Sequence, residues 1–171
     1  MPETYVSEAM AAAVGRELER RVSYPIAASD IRRWVVAVYY PEDPPRLFWD
    51  EQYAATTPFG GIVAPEDFNP FAWMAAEPAG VPRREGYDPN STETRLGLPS
   101  AGLSFQLNGG LQAEYGVRMR PGDVITWVMR LGGYREREGR LGRMLFTDME
   151  ATWTNQRDEV VKRTTSTLIR Y

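Results

Sequence analysis

Leu103-Ser104-Phe105-Gln106-Leu107-Asn108 changes the rhythm of this chain. Apolar Leu103, Phe105 and Leu107 alternate with polar Ser104, Gln106 and Asn108, a period of two that places one set on each face of a strand. The same period continues downstream. Val124 to Glu136, Met144 to Thr154 and Val160 to Arg170 read as three long strands, with Asn155 to Glu159 as the hairpin loop between the last two. Arg120-Pro121-Gly122-Asp123 reads as a turn. Gly109-Gly110 interrupts the first strand and predicts a bulge or a close backbone approach.

Ahead of this stretch the period is helical. Glu3 to Arg20 reads as a helix with alanine-rich filling (Ala9, Ala11, Ala12, Ala13), weakened in the middle by Gly15. Arg21 to Ala27 reads as extended. Ser29 has the side chain of an N-cap, and behind it Ile31, Trp34, Val35 and Val38 fall on one face of an amphipathic helix that Pro41 stops. Glu42-Asp43-Pro44-Pro45 is a turn or loop, and Asp50 caps a short helix running to Ala55. Gly60 and Gly61 imply tight backbone geometry, with Pro65 suited to a first helical turn. Phe68, Phe71, Ala72 and Ala75 predict a buried helix around residues 66 to 76, kinked at Pro70 or restarted there behind Asn69. Residues 77 to 101, rich in Pro, Gly and Arg, read as a long irregular segment. Helices followed by about four antiparallel strands make an α+β fold. The expected organisation is one domain over residues 1–171, with 1–20 as a helical extension.

Composition narrows the chemistry. The 171 residues include no histidine and no cysteine, and the only lysine is Lys162. Ser–His and Cys–His nucleophiles and the common Cys/His zinc sites therefore cannot be built from this chain. Chemistry must run on carboxylates, tyrosines, hydroxyls or backbone amides; no metal and no cofactor are expected. The apolar fraction of 43% and the charged fraction of 25% are ordinary for a globular protein. A formal net charge of −3 gives no electrostatic reason for a nucleic-acid partner. No apolar run approaches the ~18–20 residues that span a bilayer, so no membrane association is expected. The acidic N-terminus lacks the basic start of a secretory signal, and a cytoplasmic location is expected.

The element order fits a hot-dog fold, a long antiparallel sheet wrapped around a central helix. A narrower resemblance lies in Phe48-Trp49-Asp50-Glu51-Gln52-Tyr53-Ala54 followed by Phe59-Gly60-Gly61-Ile62-Val63-Ala64-Pro65-Glu66-Asp67-Phe68. With Leu107-Asn108-Gly109-Gly110, Arg120-Pro121-Gly122-Asp123, Arg140 to Phe146 and Thr154-Asn155-Gln156, this order resembles the MaoC-like dehydratases over about residues 20 to 171. It looks most like the N-terminal half of their double-hot-dog forms and their separate subunits. Active members, the resemblance implies, hydrate or dehydrate acyl thioesters of coenzyme A or acyl carrier protein, using Asp and His in a D-x-N-P-x-H motif. Aligned on Asp50, that motif puts Asp43 at the catalytic Asp and Phe48 at the His, with Pro45 and Arg46 in place of Asn and Pro. Similar N-terminal halves have lost the same residues and help to form the acyl cavity beside a catalytic partner.

The expected function is thus a subunit of an (R)-specific enoyl-thioester hydratase or 3-hydroxyacyl-thioester dehydratase. A homologous hot-dog partner would supply Asp and His; otherwise the chain would pair with itself. Hydration needs one group to activate water and another to manage the proton at the alpha carbon, and phenylalanine does neither. Backbone amides of a helix N-terminus near Ala64–Phe68 would serve the thioester oxygen. The expected substrate-binding set is Phe48, Gly61, Ile62, Val63, Ala64, Pro65, Phe68, Asn108, Gly109 and Gly110. Each has a plainer reading. Asp43 is a remnant acid or a turn-former; Phe48 lines the cavity or fills the core; Asn108-Gly109-Gly110 approaches a pantetheine or is a simple bulge. Glu66 and Asp67 are first-turn residues or the base of a hot-dog thioesterase, the alternative function. A non-catalytic acyl-thioester binding homodimer is the third. Trp34, Tyr39, Tyr40, Trp49 and Trp73 are core, interface or pocket aromatics. In the segment 77–101, Arg83, Arg84 and Arg95 are expected to meet carrier phosphates, with Val81, Tyr87, Leu96 and Leu98 covering the acyl group.

Overall fold

Alternation of side chains along five strands builds one antiparallel sheet in the order β1-β3-β4-β5-β2. The strands are β1 (Glu17–Val22), β2 (Gln106–Tyr115), β3 (Thr126–Gly139), β4 (Gly142–Thr154) and β5 (Val160–Arg170). The computed structural model describes residues 4–73, 88–140 and 142–171. Four helices accompany the sheet among the described residues: α1 (Glu8–Ala12), α2 (Ala28–Tyr39), α3 (Glu51–Ala55) and α4 (Ser91–Leu96). The fold is α+β, the hot-dog arrangement.

Three of the four strands expected from period two lie where the alternation puts them, and Asn155 to Glu159 joins β4 to β5, with Asn155 N–H donating to Glu159 O at 3.1 Å. The fourth, β2, begins at Gln106. The register slips between Asn108 and Gly110, so the glycine pair is a bulge. A Cβ on Gly109 would stand 2.8 Å from Ile169 Cγ1, which is why this position is bare. The turn at Arg120-Pro121-Gly122-Asp123 closes with Arg120 N–H donating to Asp123 Oδ2 at 2.8 Å.

The N-terminal region departs from the expected helix over Glu3 to Arg20. The helix spans only Glu8–Ala12, and Gly15 adopts φ +87°. The Gly15 amide donates to Leu131 O at 2.7 Å, and Leu131 N–H returns to Arg16 O at 3.0 Å. The exposed edge of β3 thus captures the chain as β1, because a ladder satisfies backbone groups that a short frayed helix leaves to water. Ser29 is not the cap of α2. Ala27 holds that position, and the Asp30 carboxylate reaches back to accept from Ala27 N–H at 3.2 Å.

One large apolar cluster covers one end of the inner sheet face, and two smaller neighbouring clusters cover the other. At one end α2 contributes fully buried Ile31 and Val35, which pack with Phe48, Ala54, Ile62, Val63, Ala64, Phe68, Ile125 and Val161. Each such side chain contributes about 1.5–3 kcal/mol when fully buried. At the other end α1 and α4 press Met10, Ala13 and Leu96 against Leu131 and Leu145. The segment 77–101 is therefore not irregular throughout: α4 is part of the core, and Leu96 fills that core rather than covering a ligand. Arg95 is paired with Glu19 at 3.1 Å. Val81, Arg83, Arg84 and Tyr87 lie outside the described residues.

The end nearest α4 is bolted by charge. Arg170 and Glu93 are both wholly buried. Arg170 donates to both Glu93 oxygens at 2.6 and 2.9 Å, to Thr147 Oγ1 at 2.7 Å and to Pro89 O at 3.0 Å. Tyr134 donates to Glu93 Oε1 at 2.8 Å. Burial, and then the Glu93 carboxylate, push the Tyr134 hydroxyl far above its ordinary range.

Candidate functional site

Between the two covered ends the inner face opens into a cavity of about 460 Å³. Strand register explains its floor. One cross-strand row runs Arg21, Trp127, Trp153, Lys162, Tyr115 across all five strands. The next holds Glu19, Met129, Ala151, Thr164 and Ala113, and a third holds Leu131, Met149, Ser166 and Leu111. Trp34 from α2 and Phe71, within a 3-10 turn at Pro70–Trp73, complete the apolar walls, and Asp67 and Asn69 stand at the rim.

The aromatic wall is mutually braced. Phe71 meets Trp153 edge-on at 5.3 Å and lies 6.5 Å from Trp127, while the two tryptophans are 6.4 Å apart. Edge-to-face contacts of this kind hold rings in place beyond what their buried area supplies. Arg21, also in the cavity lining, stands over the Trp127 ring at 5.6 Å and is tied to Glu19 at 2.6 Å.

Lys162 is the unusual residue of the site. It is only 8% exposed, with its ammonium 4.7 Å from the Trp153 ring centre and 5.7 Å from that of Tyr115. Burial pulls its pKa below the ordinary lysine value, and the Asp67 carboxylate opposes this only in part. Tyr115 donates its hydroxyl proton to Asp67 Oδ1. That bond, reinforced by desolvation and by the charges of Asp67 and Glu66, raises the Tyr115 pKa. Asp67, Tyr115 and Lys162 thus form a polar corner beside the aromatic wall of the cavity. The sole lysine, set in a strand between Val161 and Arg163, was the available signal for it. Trp127 and Trp153 carried a weaker one, since period two alone does not say which face is concave.

The residues expected to bind substrate are placed differently. Asp43 is exposed and lies outside the cavity lining. Phe48 packs in the core with its ring 6.3 Å from that of Tyr39. Ile62, Val63, Ala64 and Phe68 are buried in the same core, while Gly61 and Pro65 are half-buried. No helix begins at Ala64–Phe68 to offer amides. Ala64 N–H donates to Met119 O at 2.8 Å and Phe68 N–H to Pro65 O at 3.1 Å, and the expected helix over 66 to 76 is a turn followed by the 3-10 turn. The proline at position 70 and the Asx bond from Asn69 Oδ1 to Phe71 N–H explain that tighter geometry. Residues 74 to 76 lie outside the described residues.

Gly109 and Gly110 border a second cavity of about 350 Å³, with Arg135, Asp148 and Thr167. Asn108 uses its side chain to accept from Gly110 N–H at 2.9 Å. Glu66 is paired with Arg118 at 2.9 Å. Of the weighed aromatics, Trp34 alone lines the main cavity; Tyr40 is 81% exposed and Trp49 donates to Pro44 O at 2.9 Å. The Trp73 side chain lies outside what is described.

A single sheet curled over core and cavity defines the class, a hot-dog domain of the dehydratase kind. The chain belongs to the MaoC-like dehydratases: the family model for the FAS1-like, dehydratase domain region matches residues 12–164. No curated protein sequence matches it. Among solved structures it is similar to the ChsH1-ChsH2 complex from Mycobacterium tuberculosis, at 22% identity and a TM-score of 0.67 over 94% of this chain and 86% of that one. It is also similar to a MaoC-like dehydratase from Rhodospirillum rubrum, at 20% identity and a TM-score of 0.57 over 93% and 92% of the two chains. A third is the C-terminally truncated HadBC (3R-hydroxyacyl-ACP dehydratase) complex from Mycobacterium tuberculosis, at 15% identity and a TM-score of 0.55 over 91% and 99%.

Proposed function

We propose that this chain is the cavity-forming subunit of an (R)-specific enoyl-thioester hydratase or 3-hydroxyacyl-thioester dehydratase, working beside a homologous hot-dog subunit that supplies Asp and His. The observation that carries the reading is a cavity of about 460 Å³ with an aromatic and methionine wall, in a chain whose Phe48 stands where the family has its histidine. That cavity has the size and apolar lining of a small-molecule site. Asp43, exposed and without a histidine beside it, cannot complete acid–base chemistry by itself.

A partner has a surface to meet. β2 is an edge strand, paired on one side with β5; Leu107, Leu111 and Tyr115 along it, and Phe105 and Val117 just beyond its ends, are all at least 40% exposed. Edge strands of this kind invite pairing. Two of the similar structures are complexes by name, ChsH1-ChsH2 and HadBC, which supports a hetero-oligomer over a homodimer. A thioester of coenzyme A or acyl carrier protein is the substrate class that this reading assigns.

A second reading has one observation in its favour. Asp67 is the carboxylate in the cavity lining, so a thioesterase would use it rather than Glu66, which Arg118 occupies. One assay separates the two. The purified chain is expected to leave crotonyl-CoA unhydrated and unhydrolysed, and to gain hydratase activity on mixing with a homologous subunit that carries D-x-N-P-x-H. Hydration by the chain alone, lost in Asp43→Asn, would overturn the proposal; hydrolysis lost in Asp67→Asn would establish the thioesterase.

A further inference from the structure

The cavity has two unlike sides. On β5 the successive inward positions are Lys162, Thr164 and Ser166, facing Trp153, Ala151 and Met149 of β4. At ~3.4 Å per residue the three span about 14 Å. They form a polar stripe along a cavity otherwise walled by Trp34, Phe71, Trp127, Met129, Met149 and Trp153.

The stripe is unspent. Among the described residues neither Thr164 nor Ser166 uses its hydroxyl in a hydrogen bond, and the Lys162 ammonium touches only ring faces. Further along the same face most polar groups are paired with one another, although the buried Arg170 Nε has no partner among the described residues. Thr147 accepts from Arg170, and Arg170 is bound at both ends of Glu93. Open hydroxyl and ammonium capacity thus lines the cavity itself.

That capacity selects against a bare hydrocarbon. An alkyl chain laid on β5 would strip water from an ammonium and two hydroxyls and return nothing, a cost comparable to several lost hydrogen bonds. A ligand with oxygen at the matching height keeps those groups paired while its apolar body meets the tryptophans and methionines. A ligand carboxylate would meet Asp67 across the corner, whereas a neutral oxygen would not.

We propose that the cavity is built for an oxygenated acyl group, apolar on one side and carrying a hydroxyl or keto oxygen that accepts from Lys162 or bonds Thr164 or Ser166. This rests on the reading of the cavity as an acyl site and names the class of acyl group it takes. Lys162, Thr164 and Ser166 are then its specificity residues, distinct from any group that performs the hydration.

The test is equilibrium binding to the full chain, read by quenching of the cavity tryptophans. The probes are dodecanoyl-CoA and four isomers carrying one hydroxyl at carbon 6, 8, 10 or 12. At least one isomer is expected to bind about tenfold more tightly than dodecanoyl-CoA, the weight of one charge-assisted hydrogen bond. In Lys162→Met, and in the Thr164→Val, Ser166→Ala double variant, the two ligands should fall within about twofold of each other in at least one case. Dodecanoyl-CoA binding with no favoured isomer would overturn the oxygen preference and leave the acyl site standing. Binding of none of the five would overturn both. A preference that survives in both variants would remove the stripe as its cause.

Discussion

At the scale of single residues, Lys162 marks where burial works against stability. An ammonium buried over two rings loses hydration that the cation–π contact and distant Asp67 return only in part. Its folded pKa lies below the ordinary lysine value of 10.5. The folded state therefore binds fewer protons than the unfolded one between those two values, and stability rises with pH across that window. Below the folded value the whole burial cost is present. Lys162→Met should accordingly raise the melting temperature near neutral pH, by about 2–4 °C for each ~1 kcal/mol recovered. The gain should shrink as pH is raised towards 10.5. Denaturation series at several pH values check the sign; a destabilised variant would mean that the ring contacts outweigh the lost hydration.

At the scale of elements, two local devices hold the sheet and its cover in register. The first is the β2 bulge. A methyl on Gly109 meets Ile169 and Thr167 of β5 at 2.8 and 3.0 Å. Gly109→Ala should cost about 1–3 kcal/mol by overpacking, measurable as a lower urea midpoint with an unchanged slope. The second is the Glu93–Arg170 pair that joins α4 to β5. Glu93→Gln leaves a buried guanidinium without its counter-charge and should cost about 3–5 kcal/mol. Glu93→Leu with Arg170→Met removes both charges and should recover most of that loss. A double variant as unstable as Glu93→Gln would show that packing, not the stranded charge, dominates. Only the first device was visible in sequence: Gly109-Gly110 announced the bulge, whereas Glu93 and Arg170 lie 77 positions apart.

At the scale of the molecule, the exposed β2 edge and the cavity belong together. Tyr115 and Leu111 line or border the cavity from the same strand that offers its free side to a partner. Association at β2 would therefore close the cavity's flank. Sedimentation equilibrium at micromolar concentration is expected to show a dimer or larger assembly, alone or with a homologue. Leu107→Lys, a charge on the exposed edge, should weaken it by about tenfold or more. A monomer in both settings would exclude this edge as an interface. Among the described residues no helix is long and apolar enough to cross a membrane.

Local patterning determined much of this protein: three long strands, the glycine bulge, the turn before β3, and the short helix capped by Asp50, whose carboxylate accepts from Tyr53 N–H at 3.0 Å. These features depend on neighbours a few residues away, so period, glycine and capping chemistry suffice to read them. The family resemblance also lay in the sequence, because it rests on the order of short motifs. The missing histidine limited the chemistry before any coordinate was known. Tertiary structure decided the rest. β1 exists because the edge of β3 needed a partner, and α4 exists where composition suggested a loop because Glu93 and Leu96 are anchored by strands far along the chain. The main cavity lies on the inner sheet face for the same reason. Cross-strand register brings Trp127, Trp153, Lys162 and Tyr115 into one row, and registry between distant strands is a property of their pairing, not of any one segment.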